Sequence, residues 1–257
     1  MAISAKIYCK SQSTRQWVKD MQQEAKPAIV DRQFAEKFFT AVDRPIEYGV
    51  YFLFHDWFEQ APQAAIDDYQ AEIASLPEAR AAIDEGFIAE PLSLDDLARS
   101  APGILGHGYH QFILENSLEA NLGRNYRDFN EQLHVSGKLD RLPSDMSYMM
   151  IRRLQIHDFL HVLTGYDSSP LGELGIAAFY MAQLRFPYHA MRMAVTLAHT
   201  AFVKPSLTTE VMDAICDGWS YGRSARNLNF TLWEDELHTP LADLQEKMNL
   251  RVERQAA

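Results

Sequence analysis

Two histidines and two carboxylates stand at spacings that suit a divalent metal site. His157 and His161 are four residues apart, so on an α-helix their side chains share one face, with Cβ atoms about 5–6 Å apart. Asp158 adjoins the first histidine, and Glu173 follows His161 after eleven intervening residues. Imidazole nitrogens combined with carboxylate oxygens suit zinc as well as non-haem iron, and the spacing does not separate the two metals. We predict that these four side chains bind a divalent ion.

The local surroundings favour metal ligands over ordinary histidines. A pair spaced as His157 and His161 also arises by chance, as two core or surface side chains without chemistry. Between residues 147 and 205, however, there are only three carboxylates, and Asp158 and Glu173 are two of them. Carboxylates in apolar surroundings are costly unless they are paired or bound to a metal. The metal site is therefore the preferred interpretation.

The elements that position these residues are predicted to be helices. A long helix over residues 146–164 would carry the first three ligands, and a turn at residues 165–170 would bring Glu173 back over them. Neither alternating strand patterns nor Asn-Gly hairpins appear with any strength. The polar stretch 121–142 is predicted to be a loop. The predicted fold class is therefore all-α, with a single compact domain over residues 1–257 and the metal site on two consecutive helices.

The segment after Glu173 is apolar and rich in small residues. Residues 171–203 contain many glycines and alanines, and Pro187 is expected to split them into two helices. One interpretation is that small side chains allow close helix packing. The other is a groove for an elongated apolar ligand, lined by residues such as Phe179. Arg185 and Arg192 would then meet an anionic head group, although both also suit a solvated surface.

Charge and cysteine content limit the class of protein. A net charge of −11 argues against a nucleic-acid partner, because phosphate binding needs a basic face. Cys9 and Cys216 are far apart and follow no motif, which predicts a reducing cytoplasm without a disulfide framework. The N-terminal apolar run is too short for a signal peptide, and no stretch reaches the length of a membrane-spanning helix. We expect a soluble or peripheral protein.

The ligand pattern and several segments around it are similar to one known family. Besides the histidines and the glutamate, the similarity covers an upstream glycine-rich segment and a C-terminal aromatic block. The matching segments are residues 152–165, 170–173, 103–109 (with Ile104 where serine is usual), 219–228 and 233–234. This set resembles the coenzyme Q biosynthesis protein 4 family. The resemblance covers roughly residues 100–250, and residues 1–99 form a helical part that it does not place.

The resemblance implies a protein of ubiquinone synthesis. Family membership would mean a peripheral protein on the membrane face where ubiquinone is made, here the cytoplasmic face of the inner membrane. Its partners would be a prenylated quinone precursor or another polyprenyl lipid, and other ubiquinone-pathway proteins. The family is linked to oxidative removal of the ring carboxylate, with a hydroxyl installed at the same carbon. Zinc is the first expectation for the metal, with iron or magnesium as alternatives.

Three hypotheses follow for the function. In the first, the protein is a metal-dependent oxidative decarboxylase, with Asp158 as a further ligand or an acid/base. In the second, it is a non-catalytic scaffold that binds lipid and holds a structural metal. In the third, it is a zinc hydrolase, although such enzymes carry glutamate directly after the first histidine. The first is preferred. Buried aromatic helices make a homodimer a further expectation.

Overall fold

The structure of the protein, a computed structural model, describes residues 31–45, Trp57, 61–137 and 142–251. Within these ranges the backbone is helical, and the only β pairing is an isolated bridge between Ile104 and Pro240. The helices are α1 (Arg32–Asp43), α2 (Gln63–Ala74), α3 (Pro77–Glu85), α4 (Leu94–Ala98), α5 (Leu105–Glu115), α6 (Glu119–Leu122), α7 (Tyr126–Val135), α8 (Ser144–Thr164), α9 (Pro170–Leu184), α10 (Pro187–Val203), α11 (Thr208–Ser224) and α12 (Leu241–Lys247), with a 3-10 turn at Pro205–Leu207. The all-α prediction is confirmed.

Helix α8 is the central element of the fold. Its N-terminal half, with Met150, packs in one apolar cluster, and its C-terminal half, with Phe159, packs in a second. The helix ends at Gly165, whose φ of 78° lies in the left-handed region that favours glycine. The amide of Gly165 donates a hydrogen bond to the carbonyl of His161. The predicted long helix is confirmed, and it begins two residues earlier than expected.

A short turn between α8 and α9 ends the first helix and starts the second, so α9 runs back beside α8. Ser169 caps α9 by accepting a hydrogen bond from the amide of Gly172 at 3.2 Å, and Pro170 occupies the first helical turn, where its missing amide hydrogen is not needed. The helix ends before Arg185, and Pro187 opens α10. The predicted split of the apolar run at Pro187 is confirmed.

Helices α9 and α11 approach each other closely at two glycines of α11. A Cβ atom on Gly218 would lie 2.1 Å from the carbonyl oxygen of Gly175, and one on Gly222 would lie 2.5 Å from the carbonyl oxygen of Phe179. No side chain fits at such distances. The small residues of this part of the apolar run therefore serve close helix packing.

The C-terminal segment closes over α8 through a buried ion pair. Arg152 of α8 donates from both terminal nitrogens to the carboxylate of Glu234, each at 2.6 Å. The two side chains are only 3% and 9% exposed. Trp233 beside them is fully buried, and its indole donates to the carbonyl of Leu228 at 3.0 Å. These contacts make the segment part of the same compact domain as α8.

The structure overturns the predicted loop over residues 121–142. Helix α6 begins at Glu119, and α7 runs through Tyr126–Val135. The side chain of Asn125 caps α7 by accepting hydrogen bonds from two amides of its first turn. Tyr126 and Leu133, seven residues apart on one face, are buried, and this burial stabilises a helix whose other face is polar. Residues 138–141 lie outside the described residues.

The first described helix of the chain, α1, packs against the apolar run that follows Glu173. Helix α1 packs against α10 through Phe34, Val42 and Val195, whereas residues 1–30, with Cys9, lie outside the described residues. Cys216 is exposed with a free thiol. In the part of the chain that the structure describes, no helix is both long and apolar enough to span a bilayer.

Candidate metal centre

Three of the four predicted ligands converge on one point between α8 and α9. The Nε2 atoms of His157 and His161 are 3.3 Å apart. Oε1 of Glu173 lies 3.4 Å from the first and 3.1 Å from the second. His161 is almost fully buried, while His157 and Glu173 each keep 23% of their side chains exposed. The group is thus fixed on its inner side and accessible from solvent on its outer side.

The chemistry of this group calls for a cation at its centre. His161 Nδ1 donates to the carbonyl oxygen of Tyr166 at 2.8 Å, and because a carbonyl only accepts, this bond leaves Nε2 of the neutral ring without hydrogen. That nitrogen faces the carboxylate of Glu173, which also only accepts when ionised. Two acceptors at 3.1 Å repel each other unless a proton or a metal ion lies between them.

The pKa shifts of Glu173 and His161 also indicate that positive charge is favoured between these side chains. Burial would raise the pKa of Glu173, but the hydrogen bonds with His157 and His161, followed by the charges of His157 and Arg192, hold that pKa far below its usual range. Burial would lower the pKa of His161, but its bonds to Glu173 and to the Tyr166 carbonyl raise it above the usual value. Both shifts favour an ionised Glu173 next to positive charge at His161.

The distances within the group fit a divalent ion. Metal–ligand bonds of about 2.1 Å put tetrahedral ligands about 3.4 Å apart and octahedral neighbours about 3.0 Å apart. The three observed separations, between 3.1 and 3.4 Å, fall in this range. His157, His161 and Glu173 can thus hold one ion without moving far.

Local turns fix the position of Glu173 in the first turn of α9. The carboxylate of Asp167 accepts hydrogen bonds from the amide of Ser169 at 3.1 Å and from its hydroxyl at 2.6 Å. A Cβ atom on Gly172 would lie 2.2 Å from the carbonyl oxygen of Asp167. The turn therefore packs tightly against the start of α9, and this contact sets where Glu173 meets the two histidines.

The fourth predicted residue, Asp158, lies on another side of α8. It is nine-tenths buried and lines a small cavity of about 20 Å³ together with Tyr109, Tyr126 and Glu234. Among the described residues, the group of possible ligands consists of His157, His161 and Glu173 without Asp158. This placement follows from the helix, because adjacent residues point about 100° apart around its axis. Its roles as ligand and as acid/base stay predictions.

Of the three residues proposed to meet lipid or substrate, the structure brings one to the metal group. Arg192 of α10 donates to Oε2 of Glu173 at 3.2 Å. Arg185 forms an exposed ion pair with Glu72. Phe179 is fully buried and packs edge-to-face on Tyr221, with ring centroids 5.2 Å apart.

Two aromatic residues near the metal group were not singled out from the sequence. The rings of His157 and Tyr180 stack at 6.2 Å with 15° between their planes, and those of Tyr180 and His189 stack at 5.0 Å with 6° between them. Tyr180 and His189 are fully buried. His189 is a lone histidine on an apolar helix and belongs to no sequence motif. The stack of His157, Tyr180 and His189 is therefore seen only when α8, α9 and α10 are packed together.

Comparison with known proteins agrees with the sequence resemblance. Residues 78–253 match the model of the family described as coenzyme Q (ubiquinone) biosynthesis protein Coq4. A mitochondrial ubiquinone biosynthesis protein COQ4 from Lachancea thermotolerans is 23% identical over 164 residues, which are 63% of this chain and 45% of that protein. A mitochondrial COQ4 homologue from Nematostella vectensis is 25% identical over 165 residues, 62% of this chain and 71% of that protein. The chain thus spans under half of the Lachancea protein.

A crystal structure supports the fold. A protein from Nostoc punctiforme PCC 73102, provisionally named as a ubiquinone biosynthesis protein, superposes with a TM-score of 0.64 at 22% sequence identity. The superposition covers 85% of this chain and 95% of the Nostoc chain. At this identity the similarity establishes a shared helical fold.

Proposed function

The chain belongs to the Coq4 family of coenzyme Q (ubiquinone) biosynthesis proteins, and from this premise we propose that it is a metal-dependent enzyme of ubiquinone synthesis. The proposed reaction is the oxidative decarboxylation of a prenylated hydroxybenzoate, in which a hydroxyl replaces the ring carboxylate. Because the carboxylate leaves as carbon dioxide while a hydroxyl is added, the ring loses two electrons, and the proposed oxidant is dioxygen. Water and dioxygen are then consumed, and the hydroxylated ring, carbon dioxide and hydrogen peroxide are formed. The observation that carries the proposal is the three-ligand group with Arg192 beside it.

The number of ligands supports a catalytic metal. Structural zinc sites are normally closed by four protein ligands, whereas catalytic sites keep a position open for water or substrate. In the described part of the chain, His157, His161 and Glu173 form the group without a fourth histidine, cysteine or carboxylate. Zinc is the preferred ion, and iron or magnesium are the alternatives. Zinc or magnesium would supply Lewis-acid chemistry, and only iron among the three would also supply redox chemistry.

Residues around the group would orient the substrate. Arg192 is 30% exposed and contacts the outer oxygen of Glu173, so its guanidinium can also bind the ring carboxylate of a substrate. The carbonyl of Tyr166 holds the ring of His161 in one orientation. The two contacts have different roles in the proposal: Tyr166 orients the metal ligand His161, and Arg192 binds the carboxylate that the reaction removes.

The proposed setting is the surface of a membrane. The C-terminal end of α10 exposes Phe202 and Val203, and exposed apolar side chains of this kind suit a lipid surface or a prenyl tail. We further propose that the protein binds a polyprenyl lipid and interacts with other ubiquinone-pathway proteins. We also propose that it forms a homodimer and lies on the cytoplasmic side of the inner membrane.

The alternative is a scaffold that binds lipid and holds a structural metal. Gly218 and Gly222 pack closely on α9, so in this alternative, as in the enzyme proposal, the lipid would bind away from that contact. The hydrolase alternative is weaker. Metalloproteases use a glutamate next to the first histidine as general base, but Asp158 at that position lines a separate cavity.

The test combines metal content with complementation. Glu173→Gln and His161→Ala are expressed in a strain that lacks its own homologue, with the exposed Glu246→Gln as matched control. We expect both site variants to lose the metal and ubiquinone, and a ring-carboxylated precursor to accumulate, while the control behaves as wild type. Normal ubiquinone levels with metal-free variants would favour the scaffold. Full metal occupancy in both variants would exclude the site.

A further inference from the structure

Several buried polar atoms without a protein partner lie together behind the metal group. They are Nδ1 of His157, the hydroxyl of Tyr180, both ring nitrogens of His189 and Nε of Arg153. The four residues come from α8, α9 and α10, the three helices that surround the site. In folded proteins, buried polar atoms are nearly always hydrogen bonded, so a cluster of such atoms needs an explanation.

These atoms belong to three stacked rings and a neighbouring guanidinium. The rings of His157, Tyr180 and His189 form a stack with successive centroids 6.2 and 5.0 Å apart. The guanidinium of Arg153 lies 5.7 Å from the centre of the Tyr180 ring. Two polar atoms bridged by one water are about 5 Å apart, since each hydrogen bond is about 2.8 Å long. The centroids of neighbouring rings in the stack are separated by similar distances, 6.2 and 5.0 Å.

The two histidine ligands differ in how their second nitrogen is held. A histidine that binds a metal almost always donates its other ring N–H to a partner, which fixes the tautomer and the ring orientation. His161 has such a partner in the carbonyl of Tyr166. His157 turns Nε2 to the metal group, and its Nδ1 is buried against Tyr180 without a protein acceptor. The ring of His157 therefore has to be oriented by something other than a protein acceptor.

We propose that internal water joins Nδ1 of His157 to the hydroxyl of Tyr180 and the ring of His189, and that this bridge positions His157 for the metal. An internal water commonly makes about three hydrogen bonds to such buried atoms. Burial, followed by the charge of Arg153, lowers the pKa of His189, so its neutral ring can accept a hydrogen bond. Tyr180 and His189 are then positioning residues. The proposal rests on the metal site proposed above.

The test measures metal affinity in variants that keep the fold. Tyr180→Phe removes only the hydroxyl, His189→Leu removes both ring nitrogens, and His189→Gln keeps a donor and an acceptor. Tyr109→Phe is the matched control, because Tyr109 is also a buried tyrosine, stacked on Phe159. Zn²⁺ and Co²⁺ affinities are determined by competition with a chromophoric chelator, alongside circular dichroism and thermal unfolding of the metal-free proteins.

The proposal predicts a different metal affinity for each of these variants. Tyr180→Phe and His189→Leu should each weaken metal binding about tenfold or more, with helix content and metal-free unfolding near wild type. His189→Gln should recover most of the affinity, and Tyr109→Phe should lose none. Affinities within twofold of wild type for both Tyr180→Phe and His189→Leu would overturn the proposal.

A crystal structure separates this proposal from the proposed function. Water density within about 3.2 Å of Nδ1 of His157, bonded also to Tyr180 or His189, would support the bridge. A well-ordered site without such water would overturn it. If wild-type protein binds no metal, the proposed function fails whatever the crystal shows. If it binds metal and the variants do too, only the water bridge fails.

Discussion

Arg192 and the two histidines contact the same carboxylate through different oxygens. Nη2 of Arg192 lies 3.2 Å from Oε2 of Glu173, while Oε1 faces Nε2 of both His157 and His161. One oxygen is thus available to a metal ion while the other is held by a fixed positive charge. A substrate carboxylate that binds Arg192 would therefore arrive next to the ion.

Replacing Arg192 should separate metal binding from turnover. In Arg192→Gln the fixed positive charge beside the ion disappears, so metal affinity should rise, by about threefold or more. Recognition of the ring carboxylate should weaken, and conversion of a carboxylated substrate should fall. Chelator competition and product analysis measure the two effects. Arg185→Gln, which breaks only the exposed pair with Glu72, should change neither, and a loss of metal in Arg192→Gln would contradict the assignment.

Asp158→Asn should retain the metal. Asp158 lies in its own cavity with Tyr109 and Glu234, away from the group of His157, His161 and Glu173. Elemental analysis of purified Asp158→Asn is expected to match wild type. Complementation then decides its chemical role: ubiquinone loss at full metal content supports an acid/base role, whereas normal ubiquinone shows that Asp158 has none.

Gly218→Ala should lower the free energy of unfolding. The added methyl would lie 2.1 Å from a carbonyl oxygen of α9, so the two helices must separate, at a cost of about 1–3 kcal/mol or more. Gly123→Ala is the matched control, since its nearest atom is 3.9 Å away and its φ of −80° suits alanine. Urea unfolding that shows equal stability for both variants would refute the close contact.

The buried pair of Arg152 and Glu234 gives a double-mutant prediction. Arg152→Met leaves the carboxylate of Glu234 buried without its partner, which should lower the free energy of unfolding by about 3–5 kcal/mol. Adding Glu234→Leu should recover most of the loss, because no uncompensated charge remains. Arg32→Met, which breaks the exposed pair with Glu36, should have no measurable effect. A double variant as unstable as the single one would argue against this mechanism.

His189 should make the protein less stable in weak acid. Burial, followed by the charge of Arg153, lowers the pKa of its folded ring, while the unfolded ring titrates near about 6.5. Below that pH the unfolded His189 takes up a proton that the folded ring does not, so the contribution of this residue to stability falls as the pH drops towards 5. In His189→Leu the fall should be shallower. Parallel pH profiles of metal-free wild type and variant would show that His189 has no such effect.

Local signals predicted much of this structure. The spacing of His157 and His161 on a helix, the glycine that ends α8 and the prolines that open α9 and α10 act within a few residues, so their effects could be read from the sequence. The wrong loop at residues 121–142 has a different cause. A short helix capped by Asn125 shows a weak pattern in isolation, and it depends on burial against the rest of the protein.

Long-range contacts could not be read in this way. Nothing near Arg152 indicates that its partner is Glu234, 82 residues later. In the same way, the stack of Tyr180 and His189 exists only because α9 and α10 pack together. The sequence left two interpretations open for Arg192, and the structure shows that its side chain is paired with Glu173 beside the candidate metal site.

The two long-range features of α8 also differ in when they can form. His157 and Glu173 close a loop of 16 residues, whereas Arg152 and Glu234 close one of 82. Closing the longer loop costs about 1.4 kcal/mol more in chain entropy, and Glu234 leaves the ribosome 61 residues after Glu173. The two histidines of α8 and Glu173 of α9 are therefore all synthesised, and can come together, before the C-terminal segment that covers α8 has left the ribosome.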